Sequence, residues 1–168
     1  MGRRLLPRTL PELYAQAIAL EREATKRFAE LEQLMRDTGI EHLAEEFGKI
    51  GREEKEQYEL LALGTAGREL PEVGGWEYSW HFLGPEADRV ETPTNAREAI
   101  AFALRTERRT QHFYGDVAEN ALDEAVRAFA AEMAVDERRH VLRLELLLAR
   151  EPEAAPSSEE DAGGAVLA

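Results

Sequence analysis

Apolar residues recur at three- and four-residue intervals in four separate stretches of the chain, a spacing that predicts four amphipathic helices. The first stretch reads Tyr14, Ala17, Ile18, Glu21, Ala24, Phe28, Leu31 and Met35. The second reads Leu43, Phe47, Ile50, Glu54, Gln57 and Leu61. The third reads Ile100, Ala103, Leu104, Glu107, Thr110, Tyr114 and Val117. The fourth reads Val126, Phe129, Met133, Glu137, His140, Leu144 and Leu147. Start and stop signals bound the helices at about 10–38, 41–63, 95–119 and 123–150. Thr9 with Glu12, and Asn95 with Glu98, have capping-box spacing, and Gly39 stands where a left-handed C-cap belongs.

The joints differ in kind. Very few residues around Gly39 and around Asn120 separate the first helix from the second and the third from the fourth, which forces two antiparallel hairpins. Residues 64–94 form a long crossover with Pro71, Gly74, Gly75, Pro85 and Pro93, long enough to run the roughly 36 Å of a 24-residue helix. Two hairpins joined by one long crossover predict an all-α, ferritin-like four-helix bundle over residues 10–150. Residues 1–9 are an N-terminal arm, and residues 151–168 read as a disordered acidic tail. Trp76, Tyr78, Trp80, His81 and Phe82 give the crossover an aromatic cluster expected to pack over the bundle or a subunit interface.

Each stripe is interrupted near its midpoint by one glutamate. A single glutamate on such a stripe ordinarily snorkels outward. Four at matching depth on four packed helices converge in one layer, where unpaired carboxylates are costly and repel one another until they take up protons. A pair of divalent cations resolves this. Oxygen-rich donors suit iron and manganese, and His140 adds a nitrogen. An internal repeat supports a near-symmetric site. Glu21 precedes Phe28 by the same interval as Glu107 precedes Tyr114, and Ile50–Gln57 aligns with Met133–His140.

Composition narrows the chemistry. The chain has no cysteine, which excludes thiolate metal sites, disulfides and cysteine nucleophiles. A formal net charge of −13 disfavours nucleic acid and anionic membranes as partners. No apolar run is long enough to span a bilayer, and Pro7 and Arg8 interrupt any signal-peptide core after Leu5 and Leu6, so the expected location is the cytoplasm. No nucleophile elbow, phosphate loop or His-Glu-x-x-His pattern points to a hydrolase.

Taken together, Ala19–Glu23 with Phe28, Glu107 with Phe113 and Tyr114, and Met133–His140 resemble the rubrerythrin family of ferritin-like di-iron proteins. The resemblance spans about residues 10–150. It implies Glu21 and Glu107 as terminal ligands, Glu54 and Glu137 as bridging ligands, and His140 as a nitrogen ligand. It also implies Tyr114 as a hydrogen-bonding partner behind the ligands, and two iron ions as cofactor. Three departures stand out. Gln57 replaces the family's second histidine, so one metal position is expected to be looser. Neither Leu104 nor Thr110 supplies the further carboxylate of the third helix. The rubredoxin domain of many members needs cysteines that this chain lacks. The implied activity is reduction of peroxide or dioxygen, or oxidation of ferrous iron, in an oxidative-stress setting. Electrons would come from an external donor, and the protein is expected as a homodimer or larger homo-oligomer. The competing reading is a non-catalytic metal-binding or scaffold bundle with a partly decayed site.

Overall fold

The computed structural model describes residues 6–73 and 92–153; the aromatic crossover segment with His81 and most of the acidic tail lie outside these. Four helices make up the described regular structure: α1 (Leu10–Asp37), α2 (Glu41–Gly64), α3 (Ala96–Asn120) and α4 (Glu124–Arg150). Local chemistry sets their ends. The Thr9 and Asn95 side chains accept from the Glu12 and Glu98 backbone N–H, and Asp123 accepts from Val126 N–H, so three N-termini are capped by a side chain. Glu12 and Glu98 reach back one residue past the cap, to Arg8 N–H and Thr94 N–H, at 2.7 and 2.8 Å.

At the end of α1, Gly39 takes φ 78°, Ile40 N–H donates to Met35 O at 2.8 Å and Gly39 N–H to Arg36 O at 3.1 Å, the two bonds of a Schellman turn. Gly64, in contrast, is the last residue of α2 rather than its terminator. The cap is Thr65, whose hydroxyl donates to Leu61 O at 2.7 Å, and the positive φ falls on Gly67.

Small residues bring α1 and α2 close together. A Cβ placed on Gly51 would stand 3.1 Å from Phe28 Cβ, and one on Gly48 would stand 2.9 Å from the Glu32 carboxyl. Two apolar clusters fill the bundle. One joins Phe28, Leu31, Phe47 and Ile50 to Ile100, Leu104 and Leu144 from all four helices. The other joins Leu13, Ala17 and Leu20 to Tyr114, Val117, Val126 and Met133. The layer between them is polar, and it holds the four mid-helix glutamates. No helix among the described residues is long and apolar enough to cross a membrane.

Candidate metal centre

Each helix brings one glutamate to this layer, and α4 adds His140 one turn beyond Glu137. Glu21, Glu54 and Glu107 are each 1 % exposed, Glu137 3 % and His140 7 %. These are therefore core residues, with their charges removed from water. One donor atom from each of Glu54, Glu107, Glu137 and His140 lies within 4.8 Å of the others. Donors on opposite sides of a cation with bonds of about 2.0–2.6 Å stand roughly that far apart. His140 Nδ1 is 2.7 Å from Glu54 Oε1 and 3.4 Å from Glu107 Oε2.

Glu21 stands beside this group, next to Glu54, and its Oε1 accepts from the buried Tyr114 hydroxyl at 2.9 Å. Gln57 follows Glu54 by three residues on α2. Its half-buried amide nitrogen donates to Asp136 Oδ2 at 3.3 Å and contacts Met133 Sδ at 3.2 Å. At the two positions flanking Glu107, Leu104 is buried in the apolar core, and the Thr110 hydroxyl donates to Thr106 O.

The electrostatics are those of a site built for cations. Burial, then Glu54, holds the Glu21 carboxyl well above the ordinary carboxylate range. Burial, then the charge of Glu107, does the same to Glu54 and to Glu137. Burial also pushes Glu107 upward, but the neighbouring His140, Glu137 and Arg27 outweigh it and leave this carboxyl below its usual value. Burial disfavours the His140 imidazolium, yet Glu107 and Glu53 raise it above the usual histidine value. Protons thus stand in for missing positive charge. The buried guanidinium of Arg27, 8 % exposed, adds a fixed cation that favours ionised Glu54 and Glu107.

Glu21 Oε2, Glu54 Oε1, both Glu107 oxygens, Glu137 Oε2 and His140 Nδ1 are all buried and have no hydrogen-bond partner beyond one another. Buried polar atoms almost always find one. Six such atoms from five residues in one layer fit a metal pair, in a donor set of hard oxygens and one imidazole.

Sequence reasoning passed over three groups that the structure places in or beside this layer: Arg27 within it, and Glu53 and Asp136 at its edge. The last two are visible in hindsight, because they occupy equivalent places in the Ile50–Gln57 and Met133–His140 repeat.

A four-helix bundle with inward carboxylates and a Glu-x-x-His unit defines the class of ferritin-like carboxylate proteins. Within that class the chain belongs to the rubrerythrin family, whose model matches residues 12–148. No curated protein matches it. Among solved structures it is similar to an uncharacterized conserved protein from Magnetospirillum magnetotacticum MS-1. The two share 28 % identity and a TM-score of 0.78, over 89 % of this chain and 99 % of that one.

Proposed function

We propose that the chain holds two iron ions, with manganese suiting the same donors, and reduces peroxide or dioxygen or oxidises ferrous iron. The observation that carries this reading is the set of buried carboxylate and imidazole atoms, from all four helices, that meet in one layer and have no hydrogen-bond partner beyond one another. When bound, an iron pair supplies the two electrons that, with two protons, convert hydrogen peroxide to two waters.

The protein residues do the rest. Glu54 and Glu137, one from each hairpin, would be shared between the two ions, Glu21 and Glu107 would each serve one, and His140 would give its nitrogen. Tyr114 fixes the orientation of Glu21 by hydrogen bonding. The apolar clusters on both sides limit water at the layer, which strengthens every charge interaction within it. The reading assigns the electrons for turnover to an external donor, because these residues include no cysteine to hold a thiolate redox centre, and it assigns the protein to the cytoplasm.

Adding ferrous iron anaerobically to the metal-free protein tests the site, and oxidant tests the reaction. Two irons per chain are expected, with near-ultraviolet ferric absorption appearing after peroxide or air. Repeated cycles when a reductant is supplied mark a peroxidase or oxidase, whereas one burst per added ferrous ion marks iron oxidation. Absence of iron uptake would sink the proposal.

A further inference from the structure

Glu53 and Asp136, the residues immediately before Glu54 and Glu137, do not face the cluster, because each helical step turns a side chain by about 100°. Each reaches instead across to the opposite hairpin. Glu53 Oε2 lies 2.9 Å from His140 Nε2, and Glu53 Oε1 accepts from Arg143 Nη1 at 2.7 Å. Asp136 Oδ2 accepts from Gln57 Nε2 at 3.3 Å, and Asp136 Oδ1 lies 3.3 Å from Arg139 Nη1. In both, an acid meets the residue three positions after the central glutamate of the opposite hairpin and an arginine stands beside the acid, Arg143 from the opposite hairpin and Arg139 from Asp136's own helix. The sequence repeat has become a crossed pair of contacts.

The chemistry of the partners gives these contacts a direction. A neutral imidazole has one N–H and one lone pair, and a carboxylate only accepts. With a proton on Nε2 toward Glu53, His140 turns Nδ1 into the layer, 2.7 Å from Glu54, a contact that holds a proton between the two atoms in the metal-free fold and that a bound cation would replace. A carboxamide donates only through its nitrogen. With that nitrogen on Asp136, the carbonyl oxygen of Gln57 is the atom left to ligate.

We propose that Glu53 and Asp136 are a crossed pair of positioning residues, each orienting the metal donor carried by the opposite hairpin. Glu53 sets His140, and Asp136 sets Gln57. The pair also makes the two metal positions unequal. The imidazole position has the shorter contact and the stronger donor and fills first, while the carboxamide position fills second. This inference rests on the proposed metal reading.

Zinc, which has no redox chemistry, is the probe. The full chain is titrated with Zn2+ by calorimetry, and the thermal melting of each metal-free variant reports folding. The wild type is expected to bind two zinc ions in two steps. Glu53→Ala should weaken the tighter step by roughly 10- to 100-fold, the usual effect of losing a partner behind a ligand. Asp136→Ala should weaken only the looser step. Glu53→Gln, which keeps an acceptor oxygen, should restore most of the lost affinity, a rescue that a merely structural role does not predict. Nitrogen-15 spectra of the zinc form should place the metal on Nδ1 of His140. Equal weakening of both steps by either variant, no weakening, a single zinc per wild-type chain, or zinc on Nε2 would each overturn the crossed pair. If the wild type binds no zinc and no iron, the metal reading falls as well; if it binds two and the variants do not separate the steps, the crossed pair falls alone.

Discussion

Glu137 is pushed upward first by burial and then by the charges of Glu107, Glu54 and Glu21. A carboxyl so placed costs the metal-free fold stability, and under the proposed reading it is kept for the metals. Replacing it with an amide of the same shape removes an ionisable group from a repelling set. Glu137→Gln is therefore expected to make the metal-free protein more stable at neutral pH, by about 0.5–2 kcal/mol, and to abolish binding of two metals. Chemical denaturation and metal stoichiometry check the two halves. A destabilised metal-free variant would show that Glu137 holds the fold rather than the metals. At this scale the sequence was informative where a residue broke a pattern. Glu21, Glu54, Glu107 and Glu137 each interrupt an apolar stripe, and all four are buried. Arg27 breaks nothing visible, since a charged residue beside a stripe normally faces water, and only packing shows its guanidinium to be inside.

The helices themselves were legible because capping chemistry is local. Thr9, Asn95 and Asp123 each accept the N–H predicted by their position, and Gly39 takes the left-handed φ that an αL cap requires. Which residues turn inward was less legible on α1. Leu13 and Leu20 are buried at 0 and 4 % exposure beside the expected stripe, while Tyr14 and Ile18 are only half-buried. A helix that packs against several neighbours buries a face wider than one stripe, and periodicity alone does not fix its centre. Tyr14 still meets Phe129 of α4 edge-on, at 5.0 Å between ring centroids. Two glycines test the element ends. A Cβ on Gly39 would meet nothing within 4 Å, so Gly39→Ala isolates the backbone cost of φ 78°. That cost is about 1–2 kcal/mol, and the expected fall in Tm is roughly 2–8 °C. Gly64 is helical and equally open, so Gly64→Ala should stabilise by about 0.4–1 kcal/mol. Thermal unfolding that moves both variants in one direction would contradict this assignment of the two ends.

At the scale of the molecule, the carboxylate layer joins two hairpins: Glu21 and Glu54 come from one, and Glu107, Glu137 and His140 from the other. Whatever neutralises the layer, protons or metals, therefore holds the hairpins together, and the two respond to pH in opposite ways. In the metal-free fold Glu21, Glu54 and Glu137 have pKa values raised well above 4.5. Between 4.5 and those raised values the fold binds more protons than the unfolded chain, so stability falls as pH rises. His140, raised above 6.5, acts in the same direction at higher pH. Glu107 and Glu53 are lowered from 4.5, so their contribution is present above that value and is lost only as pH falls through their folded values. The metal-free protein should thus gain stability as pH drops from about 8 to about 5, and lose it below about 4. Metal binding requires the same groups deprotonated, so the loaded protein should gain stability as pH rises over that interval and release protons on uptake. Melting curves with and without Mn2+ are expected to show slopes of opposite sign between about pH 5 and 8. Parallel slopes would mean that protons and metals do not compete for one layer, and that the hairpins are joined by their apolar clusters alone.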